Sequence, residues 1–141
     1  MSPQATADKV RDVMFADDAA SRMLGLQVTE VSPGRAVATM TVRADMLNGF
    51  ALCHGGLIAT LADSAFAFAC NSRNALTVAA GFGIDILKSA KLDDVLTATA
   101  EETSLAGRTG LYDVTVRNQH GELIAMFRGR SHRLGDRKVF A

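Results

Sequence analysis

The spacing of hydrophobic positions changes along the chain. Over residues 5–23, Ala7, Val10, Val13, Met14 and Met23 fall near one stripe, with Asp8, Lys9, Arg11 and Asp12 between them. That spacing predicts an amphipathic helix, which Asp17–Asp18 breaks or re-caps. Residues 24–43 read as two strands. Past the turn Ser32-Pro33-Gly34-Arg35, Ala36, Ala38, Met40 and Val42 alternate with Val37, Thr39 and Thr41. Proline second and glycine third suit a type II turn. Residues 55–71 then lose any polar face. From Leu57 to Cys70 almost every side chain is apolar or small, and Asp63 is the only ionisable one. This predicts a helix buried on all sides. Strand-like segments follow at 76–88, 94–105, 109–118 and 122–134, and the turn sequences AGRTG and NQHGE separate the later ones.

The order is therefore helix, two strands, one apolar helix, four strands. It implies an α+β fold in which a curved antiparallel sheet wraps one long helix. The 141 residues are expected to form one domain spanning 1–141. A single sheet leaves two edges and an open back, which dimerisation by edge pairing would partly cover.

Composition narrows the function classes. Formal net charge is zero, hydrophobic residues make up 48% and charged residues 21%. No electrostatic footprint for nucleic acid or an anionic membrane is present. No run of about 18 apolar residues exists, and the N-terminus has no signal-type apolar core. Cys53 and Cys70 form no CxxC and no zinc-type spacing. A cytoplasmic protein with reduced thiols, no metal and no membrane contact is expected.

The chemistry concentrates at the start and middle of the apolar helix. Gly55 and Gly56 let a ligand approach the backbone closely. The first N–H groups of a helix lack internal partners, and the helix dipole adds positive character there. Such a place suits a carbonyl oxygen that becomes an oxyanion, although Gly-Gly also simply permits a tight corner. Asp63 must be paired, protonated or facing a cavity, because an unpaired carboxylate in an apolar core costs several kcal/mol. It is a candidate nucleophile or general base, or else a loop cap. Gly55 and Asp63 lie eight residues apart, about 12 Å along a helix. One small carbonyl cannot touch both, so a shared active site requires the carboxylate of a second subunit. His54 and Asn48 are candidates to orient the loop, the substrate or a water. Cys53 beside His54 is a weak candidate thiol nucleophile, and Ser64 fits no triad order. Lys88, Lys91, Arg108, Arg128, Arg130, His132 and Arg133 sit near turns or on one strand face. They suit either a phosphate-bearing ligand or a solvated surface.

The block Asn48-Gly-Phe-Ala-Leu-Cys-His-Gly-Gly56, with Asp63 seven residues on in LADSAFAFACNS, resembles the hotdog-fold thioesterases. It is most similar to the phenylacetic-acid-degradation (PaaI-type) acyl-CoA thioesterases. ADMLNG, the Gly83-Ile84-Asp85 strand, TATA, TGLYDV and FRGRSHRLG extend the resemblance through most of the chain. It implies a hotdog fold, dimers commonly paired into tetramers, and hydrolysis of acyl-CoA, in this branch especially phenylacetyl-CoA and its ring-hydroxylated forms. By position, Asp63 matches the catalytic carboxylate, Gly55 the backbone N–H that polarises the carbonyl from the opposite subunit, and His54 and Asn48 their helpers. Coenzyme A belongs to the substrate, and no cofactor is implied. Gly56, Phe82, Lys88, Arg108 and Arg130 are the candidate substrate-binding residues, with Phe82 the one to shape an aryl pocket. Two departures stand out. The strand after the helix reads Ala79-Ala80-Gly81-Phe82-Gly83, without the hydroxyl helper related enzymes often place there. The later loop reads Lys88-Ser89 where Arg-Pro is frequent. The competing readings are a non-catalytic acyl-CoA-binding module and an enoyl-CoA hydratase. The latter is disfavoured because no second histidine falls within the helix.

Overall fold

The computed structural model describes residues 1–141. Helix α1 spans Pro3–Asp17. Ser2 caps it by accepting the Ala5 N–H at 3.0 Å, and Pro3 occupies the first turn, where no N–H is needed. The expected break at Asp17–Asp18 is a re-cap. Asp18 accepts the Ser21 N–H at 3.1 Å and starts the short helix α2, Ala19–Met23. Strands β1 (Gln27–Ser32) and β2 (Arg35–Thr41) pair through a turn in which Gly34 takes φ +75°, a conformation disfavoured for residues with a Cβ. Helix α3 spans Gly55–Cys70. Then come β3 (Thr77–Ile86), β4 (Val95–Ala106), β5 (Thr109–Arg117) and β6 (Leu123–Arg133).

The six strands form one antiparallel sheet in the order β1-β2-β4-β5-β6-β3. Helix α3 packs against every strand, so the sheet wraps around it. Small side chains let the helix come close. Ala36 pairs with Ala100 and Ala38 with Ala98 on the buried face. On β6 a Cβ at Gly129 would lie 2.8 Å from the Phe66 ring, so only glycine leaves room for that ring. Phe66 is held tilted against Tyr112 and Phe127, with ring centroids 5.6 and 5.8 Å away. At its exit, the buried Asn71 amide donates to the Ala67 and Thr77 carbonyls and accepts the Thr77 N–H. That fixes how α3 hands over to β3.

The chain's path corrects one expectation. Strand β3 crosses to the far edge of the sheet, beside β6, and nothing in the chain pairs its outer side. Helix α3 is consequently not buried on all sides. Gly56 is exposed, and Ala59, Thr60, Asp63, Ser64, Ala67 and Cys70 are only half-buried. Val78, Phe82, Ile86 and Leu87 are exposed along the same open edge. The opposite edge, β1, is packed against α1. No helix is long and apolar enough to cross a membrane.

Candidate active site

The loop before α3 is tied down by its own polar groups. Asn48 Oδ1 accepts the N–H groups of Phe50 (2.9 Å) and Leu52 (3.2 Å), and Asn48 N–H donates to the Leu52 carbonyl at 2.7 Å. The Asn48 carbonyl side therefore holds the loop, which leaves its NH₂ as a donor. His54 is the helix cap. Its Nδ1 accepts the Gly56 N–H at 3.4 Å, and its own N–H donates to the Met46 carbonyl at 2.9 Å. With Nδ1 an acceptor, the neutral ring carries its proton on Nε2. The Gly55 N–H finds no acceptor in the chain. Asp45, Met46, Leu47, His54, Gly56 and Leu57 line a shallow pocket of about 320 Å³ at this end of the helix.

Asp63 lies two turns further on. Its carboxylate is half-buried and has no hydrogen bond or cation within the chain. Burial pushes its carboxyl above the usual range, and the negative charge of Asp18 adds to that. It opens on a mostly apolar cleft of about 440 Å³ that Val13, Met14, Phe66, Cys70, Val78 and Val139 help to line. Thus α1 and the C-terminal tail supply walls of the carboxylate's cleft. Periodicity alone had marked α1 only as an amphipathic helix.

The two polar features do not meet. Both sit on α3, and a separation of eight residues keeps them about 12 Å apart. Within one chain they are two separate polar features on the open side of one helix.

The remaining candidates scatter. Lys88 lies at the Gly55 end, since Ile86 approaches Gly55 and Cys53 N–H donates to the Ala90 carbonyl, but its ammonium is paired with Glu122. Phe82 lies outside the Asp63 cleft. It is 51% exposed on the open edge and stacks on Phe127 at 4.9 Å. Arg128, Arg130 and His132 do share a face, the exposed outer one, and Arg128 is engaged by both oxygens of Asp113. Arg108 lines a separate pocket at the far end of α3. Cys53 is buried with its thiol pushed up by desolvation, and burial pushes Cys70 up to about 12, so neither is a ready thiolate. One cluster escaped the sequence reading. Ser64 Oγ meets Ser21 Oγ at 2.8 Å, and Ser21 Oγ donates to Asp18 Oδ2 at 2.7 Å. This chain of hydroxyls locks α2 onto α3 beside Asp63. Its one local sign was the Asp17–Asp18 doublet at the helix break.

A thioesterase-superfamily sequence profile matches residues 50–125, which include the whole of α3 with Gly55 and Asp63. The chain belongs to the thioesterase superfamily. It is 46% identical over 122 residues to the acyl-coenzyme A thioesterase PaaI of Escherichia coli, covering 86% of this chain and 87% of that protein. The solved structure of the E. coli PaaI protein from the phenylacetic acid degradation operon superposes with a TM-score of 0.94 at 43% identity, covering 96% of this chain and 99% of that one. A Streptococcus mutans protein solved with acetyl-CoA bound matches with a TM-score of 0.76 at 29% identity, over 80% of this chain and 91% of that one. The hotdog architecture and the PaaI resemblance are therefore both borne out.

Proposed function

We propose that this chain hydrolyses acyl-CoA thioesters at composite sites formed where two copies pair along their open β3 edges. One observation carries the reading. A single helix presents an unpartnered N–H at its start and an unpaired carboxylate two turns later, both on the side its own sheet leaves open. A second copy related by a two-fold axis brings each half-site against the complement of the other. The exposed Val78, Phe82, Ile86 and Leu87 supply apolar surface for that pairing. Dimers of this kind pairing further into tetramers is the expected assembly.

The thioester carbonyl oxygen accepts the Gly55 N–H, at the positive end of α3. Asp63 of the second copy attacks the carbonyl carbon, or removes a proton from a water that does. Negative charge grows on the oxygen as the C–S bond breaks, and the fixed N–H stabilises it. One such donor typically lowers the barrier by about 2.7–4 kcal/mol. The Nε2–H of His54 and the NH₂ of Asn48 are the remaining donors at this end, suited to the carbonyl or the attacking water. The raised carboxyl of Asp63 makes it a stronger base than an exposed aspartate. The acyl group lodges in the apolar cleft beside Asp63, whose roughly 440 Å³ accommodates a group of aryl-acetyl size. The reaction draws on no cofactor, since coenzyme A arrives as part of the substrate and leaves as the thiol product. That PaaI is an acyl-coenzyme A thioesterase, and that the S. mutans neighbour binds acetyl-CoA, support this substrate class.

The test is thiol release from phenylacetyl-CoA, ring-hydroxylated phenylacetyl-CoA and aliphatic CoA esters, comparing wild type with Asp63→Asn. Hydrolysis by wild type, falling by orders of magnitude in the folded variant, is expected. Tight ester binding without thiol release would show a binding module instead. Addition of water to an enoyl-CoA without thiol release would show a hydratase.

A further inference from the structure

One wall of the Asp63 cleft comes from a stretch outside every helix and strand. Val139 lines the cleft from segment 134–141. Such stretches are ordinarily mobile, but this one is stitched down. Leu134 N–H donates to the Leu76 carbonyl at 2.9 Å, and Leu76 N–H donates to the Arg137 carbonyl at 3.0 Å. Further on, Asn74 clasps the Phe140 backbone. Its Nδ2 donates to the Phe140 carbonyl at 3.1 Å, and its Oδ1 accepts the Phe140 N–H at 2.9 Å. Asn74 has φ +66°, which asparagine tolerates better than most residues. From α1, the Lys9 ammonium lies over the Phe140 ring, 4.5 Å from its centroid. Val139 is half-buried and fixed between these two anchors.

The anchors fix which end of the cleft Val139 closes. Asn74 and Leu76 follow the end of α3 at Cys70, and Asp63 lies seven residues before Cys70, about 10 Å back along the helix. The opposite wall gives the same direction. Helix α1 runs from Lys9 past Val13 and Met14 to Asp17, next to the Asp18 whose charge acts on Asp63. Lys9 precedes Val13 by one turn, so Phe140 meets α1 at the end remote from Asp63. Segment 134–141 thus joins the α1 wall to the α3–β3 wall across the far end of the cleft. The polar groups there are engaged. The Asn71 amide is taken up by Ala67 and Thr77, and Thr77 Oγ1 donates to the Ala75 carbonyl at 2.8 Å. Leu76, Val78 and Val139 are left to present an apolar floor.

We propose that segment 134–141 is a fixed end wall of the acyl cleft, and that Val139 sets the longest acyl group the site accepts. This rests on the reading of the Asp63 cleft as the place where the acyl group lodges. The carbonyl stands at Asp63, so the far end of the acyl group points along α3 toward Val139. A longer group must displace the wall, against the Leu76 and Asn74 hydrogen bonds and the Lys9 contact. A shorter one leaves apolar surface of the floor uncovered. Val139 is accordingly a specificity-determining residue, and Asn74 the residue that holds it in position.

The experiment measures kcat/KM for phenylacetyl-CoA and for 4-phenylbutyryl-CoA, whose acyl group is two methylenes longer. It uses wild type, Val139→Ala, Val139→Phe and Asn74→Gly, with Met14→Trp as a probe of the opposite wall. Each methylene newly admitted to an apolar cleft is worth about fourfold. Val139→Ala should therefore raise the ratio of 4-phenylbutyryl-CoA to phenylacetyl-CoA by at least about fourfold, and Val139→Phe should lower it. Asn74→Gly keeps a residue suited to positive φ and removes only the clasp on Phe140, so it should move the ratio in the direction of Val139→Ala without touching the cleft lining. A ratio unmoved by all three, while Met14→Trp shifts it, overturns the wall and leaves the cleft as the acyl site. A ratio unmoved by Met14→Trp as well overturns both. If wild type releases no thiol, the hydrolytic reading fails by itself, and calorimetric affinities of the same two esters for the same variants decide the wall.

Discussion

Gly55→Pro removes one N–H and sets the proline Cδ in its place, which makes the composite site open to a decisive mixing experiment. Gly55 is the first residue of α3, a position proline occupies readily, and its φ is not in the left-handed region. His54 has φ −60° and ψ 129°, the extended conformation that a following proline requires. A Cβ at Gly55 would meet only Ile86 Cγ1, at an ordinary 3.8 Å. The deleted N–H has no partner in the chain, so the helix loses no bond. Loss of one oxyanion donor should lower kcat by at least about 10²–10³-fold, roughly 2.7–4 kcal/mol, because the proline Cδ also stands where the carbonyl oxygen would approach. Asp63→Asn disables the other half-site. When the two variants are unfolded and refolded together in equal amounts, about half of the dimers contain one chain of each kind. In such a dimer, one site combines the N–H of the Asp63→Asn chain with the carboxylate of the Gly55→Pro chain and is intact, while the other lacks both. Thiol release per chain should therefore recover to about a quarter of wild type. Differently tagged chains would confirm the exchange. A mixture of exchanged chains no more active than its parents would refute the assembly of each site from two chains.

Asp63 also links activity to stability. Its folded pKa lies above the unfolded value, so between the two the native state binds more protons. Stability is then lost as pH rises through that window, and the ionised carboxylate is a cost at neutral pH. Asp63→Asn breaks no hydrogen bond within the chain, so its Tm should equal or exceed wild type at neutral pH, with the gap closing below the ordinary carboxylate range. A clear drop in melting scans at neutral pH would contradict this. The groups facing Asp63 are Asp18, Asp17 and Cys70. Asp18→Asn keeps an acceptor for the Ser21 N–H but removes a like charge, so the acid limb of the kcat/KM profile should move to lower pH. Gly129→Ala drives a methyl against a Phe66 ring wedged between Tyr112 and Phe127, and should cost about 1–3 kcal/mol in denaturant titration. Met14→Trp narrows the cleft from the α1 side, so the ratio of phenylacetyl-CoA to acetyl-CoA hydrolysis should fall.

Legibility in the sequence followed the range of the forces involved. Helix α3 and the alternation in β2 were readable because period and capping are local. So was the re-cap at Asp18, whose carboxylate reaches only to Ser21. The HGG block and Asp63 were legible as chemistry, because a lone carboxylate in an apolar helix needs an explanation. The Ser64–Ser21–Asp18 chain was not legible, because no pattern relates positions 43 residues apart until α2 packs on α3. Nor was the neighbourhood of Arg108 and Arg133, 25 residues apart in the chain, which the pairing of β5 with β6 brings together.

The expectation of a helix buried on all sides shows where the division falls. Composition alone established that α3 is too apolar to stand in water, and helical rise alone established that Gly55 and Asp63 cannot reach one carbonyl. Which face would be left uncovered depended on the strand order. Only the crossing of β3 to the open edge decided that the helix's uncovered side carries both Gly55 and Asp63. Local periodicity records how polar each position is, whereas the choice of neighbour is made by the sheet as a whole.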